Sequence, residues 1–225
     1  MIKKEKIPPL LETGSKVAVV APSGYVDINN IQNAIGILKS WGLNTIEGDS
    51  LYKRNGIFAG SDSERLADLQ KAIDDKDIKA IICARGGYGL SRIIDRLDLK
   101  ALQEFPKWIC GFSDITILHY YVMKELAMPV IHSPMLLSFA RRADSESINS
   151  LRKILFEGQS AFQWDSDNLQ NGETKSVLAG GNLSLLYSLL GLGLSDYMAG
   201  KILFIEDTGE HLYRLDRMLM SLGLA

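Results

Sequence analysis

Cysteine is nearly absent from this 225-residue chain. The two present, Cys83 and Cys110, each close an apolar strand-like run, which predicts buried thiols and gives no basis for a disulfide framework. Histidine is almost as scarce: His119, His132 and His211 show no metal-ligand spacing, so neither a metal nor another cofactor is expected. No glycine loop is followed by Lys-Ser/Thr at Walker spacing, and none fits the dinucleotide pattern. Neither sign of charge dominates. With 25 Lys and Arg against 27 Asp and Glu, the net charge of −2 provides no global attraction to nucleic acid or to an anionic membrane. No apolar run approaches the roughly 20 residues that span a bilayer. The opening Met-Ile-Lys-Lys-Glu-Lys-Ile-Pro-Pro is charged where a signal peptide would be apolar, which points to a cytoplasmic protein. No internal repeat or low-complexity tract is visible.

What the chain does have is alternation, with 46% hydrophobic residues and room for one large domain or two modest ones. Lys16 to Ala21 is a β-branched apolar run, followed by a Pro-Ser-Gly turn and a helix on which Ile31, Ala34, Ile35 and Leu38 recur at helical spacing. A short strand is expected near Thr45-Ile46. After a loop through Gly60, Ser61-Asp62-Ser63-Glu64 has capping-box spacing and opens a helix with Leu66, Leu69 and Ile73 on one face. Ala80 to Cys83, Trp108 to Cys110 and Val130-Ile131 read as further strands. The pattern predicts an α/β fold: a mostly parallel, doubly wound N-terminal domain over residues 1–145, whose ligands bind beyond the strands' carboxyl ends. From Arg141 to Thr174 the chain turns polar, and residues 146–174 are expected as a connection. A second α/β unit, incomplete over 175–225, would hold Gly180-Gly181-Asn182-Leu183-Ser184, the strand Ile202 to Ile205 and a last helix with Leu212, Leu215, Leu219 and Leu222 on an apolar stripe.

Three loops should meet at the carboxyl edge of the first sheet: Ala21-Pro22-Ser23-Gly24, Arg85-Gly86-Gly87-Tyr88-Gly89 and Gly111-Phe112-Ser113-Asp114. The last has the form of a nucleophile elbow, in which a strand breaks sharply into a helix and presents Ser113 beside backbone N–H groups that favour negative charge. A simple helix cap by Ser113 or Asp114 fits the same residues. Gly86 and Gly87 let backbone approach a ligand, and their N–H groups could pair with that of Asp114 around an oxyanion; a strained turn is the plainer reading. Ser23, Arg85 and Tyr88, on the flanking loops, are candidates to contact substrate. Glu206 follows directly after the last strand, at a place where a carboxylate can be presented, with Asp207 as a turn-forming neighbour. Arg214 and Arg217 read equally as exposed helix charges and as carboxylate-binding groups. His132 is expected to be structural, His119 faces away from the elbow, and His211 is the least excluded of the three as a base.

Taken in order, Ala21-Pro22-Ser23-Gly24, Phe58-Ala59-Gly60-Ser61-Asp62, Arg85-Gly86-Gly87-Tyr88-Gly89, Gly111-Phe112-Ser113-Asp114, Gly180-Gly181-Asn182-Leu183-Ser184 and Ile205-Glu206-Asp207 resemble the LD-carboxypeptidase family over nearly the whole chain. The resemblance implies a cytoplasmic, metal-free serine peptidase with a Ser-Glu-His triad. Its substrate would be a peptidoglycan-derived muramoyl tetrapeptide, from which it releases the terminal D-alanine during cell-wall recycling. It further implies Ser113 as nucleophile, Glu206 as the group orienting the histidine, Asp114 with Gly86 and Gly87 as the oxyanion hole, and an active site between the two domains. The family's histidine lies downstream of the Glu-Asp motif, and none of the three histidines here matches it, so a truncated product of low activity is expected. Alternatives are a relative that cleaves a peptide-nucleotide antibiotic for self-immunity and a non-catalytic binder of wall peptides. Neither nucleic acid nor membrane is an expected partner, and the bare last helix suggests a homodimer.

Overall fold

The computed structural model describes residues 6–141, 145–159, 161–163 and 172–225. Five strands, β1 (Lys16–Val20), β2 (Asn44–Glu47), β3 (Ile78–Cys83), β4 (Trp108–Gly111) and β5 (Ile131–His132), form one parallel sheet in the order β2-β1-β3-β4-β5. Their side chains alternate between two cores. Val17, Val19, Ala80, Ile82 and Cys110 pack with α1 (Ile28–Ser40) and α5 (Leu136–Arg141), while Ala18, Val20, Ile81, Cys83 and Ile109 pack with α2 (Asp62–Asp74), the short α3 (Ala101–Glu104) and α4 (Thr116–Leu126). Burial of both faces is what near-continuous Val/Ile runs demand of a parallel strand. Both thiols are free and buried, as the strand-end reading expected; burial pushes Cys83 up to about 12.

The order reverses direction at β1, with β2 on one side and β3 on the other, so the loops after β1 and β3 splay apart around a crevice. They are tied where they begin: the Gly24 N–H donates to the Gly86 carbonyl at 3.0 Å. The expected capping box on α2 is present, with Ser61 Oγ accepting from the Glu64 N–H at 3.3 Å and the Glu64 carboxylate accepting from the Ser61 N–H at 2.8 Å.

Two sequence expectations change. The stretch read as a connection begins with a helix, α6 (Glu146–Glu157), whose Ile148, Leu151 and Leu155 complete the first core. It is capped by Ser145, and its apolar spacing outweighs its polar composition. Of the loop signals assigned to that connection, Ser160, Asp165-Ser166-Asp167 and Asn171 lie outside the described residues.

In the second unit, β6 (Leu178–Asn182) and β7 (Ile202–Glu206) pair in parallel, accompanied by α7 (Leu183–Ser188), α8 (Leu194–Met198) and α9 (Leu212–Leu224). On α9 the inward residue is Met218, with Leu215 and Leu222 partly buried, whereas Leu212 and Leu219 face solvent. The expected stripe is therefore rotated. Contact with the first unit runs through α4 and, at the end of β5, through His132 against Phe204: the Asn182 N–H donates to Thr116 Oγ1 at 3.1 Å, and Tyr120 packs with Leu186, Leu189 and Leu194 while its hydroxyl donates to the Leu192 carbonyl at 2.8 Å. No helix among the described residues is long and apolar enough to cross a membrane.

Candidate active site

Strand β4 ends at Gly111, and the backbone turns at once. A Cβ on Gly111 would come within 2.9 Å of the Ile115 side chain, so only glycine lets the following helical turn fold this closely over the strand. Phe112 is extended, and Ser113 then takes a left-handed φ of 59°, a conformation that costs a residue bearing Cβ about 1–3 kcal/mol and persists only where its surroundings impose it. The result is an elbow with Ser113 partly exposed at its apex.

Facing the elbow is the loop after β3. A Cβ at position 86 would sit 3.0 Å from Ser113 Oγ and 3.3 Å from the Asp114 nitrogen, so glycine there keeps open the space beside both atoms. Gly87, at φ 100°, carries the loop on past Gly24. Serine, Gly86 and the Asp114 N–H thus come together as the motif spacing required.

The Asp114 side chain points the other way. It is buried, accepting from Ser23 Oγ at 2.6 Å and from the Leu90 N–H at 2.9 Å, and burial pushes its carboxyl above the usual range despite those donors. This corrects the expectation for Ser23. With no exposed surface and its hydroxyl spent on Asp114, Ser23 cannot meet substrate and instead locks the loop after β1 to the elbow. Arg85 Nη1 donates to the Tyr25 carbonyl at 2.8 Å and is half-buried, whereas Tyr88 is 48% exposed beside Phe58.

Arg65 ties together the loops that carry Pro22, Gly60 and Gly89, and it escaped the sequence reading. Fully buried, it donates to the carbonyls of Pro22, Gly60 and Gly89 and pairs with Asp62 at 2.6 Å. Arg65, Leu69, Ala72 and Ile73 share the buried face of α2, and an arginine in phase with an apolar stripe was the signal available.

Glu206 ends β7 directly opposite Asn182 of β6. The Asn182 side chain caps α7, where its Oδ1 accepts from the Leu185 N–H at 3.3 Å. Burial raises the Glu206 carboxyl, and its Oε1 has no hydrogen-bond partner. That oxygen lies 3.8 Å from His132 Nε2, beyond hydrogen-bond length. His132 is set between Phe112 of the elbow and Phe204 of β7, with ring centroids 5.9 and 5.0 Å away, and burial lowers its pKa. It is therefore the side chain through which elbow and Glu206 face one another. His119 is buried with its pKa lowered to about 3, and His211 stacks on Tyr213 at the start of α9. Arg214 pairs with Glu210 at 2.9 Å on the surface.

The chain matches the LD-carboxypeptidase N-terminal domain over residues 17–133 and the LD-carboxypeptidase C-terminal domain over residues 175–225. A Bacillus subtilis protein named as a murein peptide carboxypeptidase is 36% identical over 96% of this chain and 70% of its own length. The solved muramoyltetrapeptide carboxypeptidase of Oxalobacter formigenes is 32% identical, with a TM-score of 0.84 over 93% of this chain and 71% of that one. An MccF-like protein of Bacillus anthracis, 26% identical, superposes with the same TM-score of 0.84 over 97% of this chain and 76% of its own. The fold and its elbow define an α/β protein of the peptidase type, and the chain belongs to the LD-carboxypeptidase family.

Proposed function

We propose that this chain carries the Ser-Glu part of a cytoplasmic peptidase that hydrolyses the bond between an L-centre and a terminal D-alanine in muramoyl tetrapeptides, a step of peptidoglycan recycling. The observation that carries this reading is Ser113 at a φ of 59° with the Asp114 N–H and the Gly86 loop around its Oγ. Ser113 Oγ attacks the scissile carbonyl, and its proton passes to an imidazole and from there to the departing D-alanine amine. The oxyanion is held by the Asp114 N–H together with the Gly86-Gly87 backbone. Water then releases the acyl group from Ser113. Glu206 orients the imidazole, and its burial favours a hydrogen-bonded partner over solvent. Tyr88 and the free part of the Arg85 guanidinium meet the peptide.

None of His119, His132 and His211 stands at the family's histidine position. Loss of a triad base lowers rates by on the order of 10⁴ to 10⁶, so D-alanine release by these 225 residues alone is expected to be close to background. The test measures D-alanine release from a muramoyl tetrapeptide by the 225-residue chain, and by the same chain with the family's downstream segment joined to it. Activity in the longer chain that vanishes with Ser113→Ala supports the assignment. Rapid turnover by the shorter chain would overturn the missing-base argument, and Ser113-independent turnover would overturn the mechanism. Similarity to the MccF-like protein supports a second reading, hydrolysis of a peptide-nucleotide amide at the same elbow, which the assay separates by substrate.

A further inference from the structure

A cleft of about 1000 Å³ opens beside Glu206, its described walls built of hydroxyl, aliphatic and aromatic groups with the His132 imidazole. Phe112 and His132 carry it up to the elbow, Thr208 borders it from the loop after β7, and α6 forms its far wall. The α6 residues that line it, Ser147, Ser150, Leu151 and Ile154, are spaced i, i+3, i+4, i+7, one helix face that mixes hydroxyl with aliphatic groups. Among the described lining residues none is Lys, Arg, Asp or Glu.

Hydroxyls can donate or accept, and the aliphatic and aromatic groups between them give contact to C–H faces. A free carboxylate placed here would lose water without gaining a counter-charge from any described lining residue. The lining therefore suits an uncharged ligand portion rich in hydroxyl or amide groups. A muramoyl tetrapeptide separates these chemistries along its length: the scissile end is a free carboxylate, and the far end is a neutral N-acetylated amino sugar.

We propose that this cleft is the subsite for the amino-sugar portion of the substrate, so that the site reads the glycan end as well as the scissile end. The inference rests on the murein peptidase reading above. It is tested on the Ser113→Ala chain, which binds without turnover, by calorimetric titration with free tetrapeptide and with N-acetylmuramoyl tetrapeptide. The sugar-bearing ligand is expected to bind at least about tenfold more tightly. Ser150→Phe, which fills the cleft, should bring its Kd to that of the free tetrapeptide and leave the latter unchanged. Ser147→Phe, on the exposed side of the same helix face, provides the same readout should the inner substitution disturb folding. Equal affinities for both ligands would overturn the subsite while leaving the peptidase reading intact, as would a sugar preference that survives both substitutions. Binding of neither ligand would overturn the peptidase reading itself.

Discussion

In the first unit the central strands are sealed on both faces, Val17 and Val19 packing to one side and Ala18 and Val20 to the other. In the second, the parallel pair β6 and β7 leaves Leu203, Phe204 and Ile205 between 37% and 48% exposed, and α9 turns Leu212, Tyr213 and Met220 to solvent. Parallel strands are ordinarily covered on both faces, so the second unit draws its position from outside its own packing. That support is α4, through Thr116 and Tyr120, with His132 at the end of β5 against Phe204. The contrast bears on chemistry because Ser113 belongs to the enclosed frame and Glu206 to the leaning one.

The sharpest way to break the comparison is Gly180→Ala. Gly180 has a φ of 150°, and an added Cβ would fall 1.7 Å from the Phe204 carbonyl oxygen, an overlap that no side-chain rotation relieves. A cost of about 3 kcal/mol or more, confined to the second unit, is expected. Hydrogen exchange reads it directly: amides of β6 and β7 should lose protection while those of β1, β3 and β4 keep theirs. Simultaneous loss across both units would show one cooperative body and end the distinction drawn above.

Ser23→Ala probes the enclosed frame with a smaller effect. It removes one of two donors from the buried Asp114 carboxyl, and about 2 kcal/mol of stability should be lost at neutral pH. Because burial raises the Asp114 pKa, the folded state holds the proton more tightly than the unfolded one. This group's contribution to stability therefore falls as pH rises from about 4 through the raised value. Loss of Ser23 raises that value further, so the variant's deficit should be small near pH 4 and full at neutrality. Urea midpoints across this range check it, and a deficit independent of pH would mean that Ser23 acts on packing alone.

Much of this arrangement was legible in the sequence because it is local. Strand and helix periods placed β1, α1, α2, β3 and β4, the capping box opened α2, and Gly111-Phe112-Ser113-Asp114 announced the elbow. What stayed hidden depends on partners far along the chain. Ser23 reads as an exposed turn residue until Asp114, 91 residues away, takes its hydroxyl. His132 acquires its place only when β7 brings Phe204 and Glu206 against it. On α9 the apolar residues span more than one face, so period alone could not say that Met218 rather than Leu219 turns inward. On α6 the Ile148, Leu151 and Leu155 spacing was present but sat in polar surroundings that read as a loop.

The smallest expected effect sharpens the comparison most, because it reports contact between the two units without requiring turnover. His132 belongs to β5 of the first sheet and Glu206 to β7 of the second, with Nε2 and Oε1 3.8 Å apart. Around the imidazole stand Phe112, Phe204, the neutral His119 and the Glu206 carboxyl. Burial lowers the His132 pKa, and a carboxylate this close opposes that shift by favouring the charged ring. Glu206→Gln removes the opposing charge at nearly constant shape, so the His132 pKa should fall further. Its imidazole carbon-bound proton, followed by NMR from pH 8 to pH 5, gives the titration. His119, with a pKa lowered to about 3, should stay silent over that range and serve as the internal reference. An unchanged His132 titration would mean that Glu206 does not reach the first unit in solution, and that β6 and β7 do not seat on α4 as Thr116 and Asn182 place them.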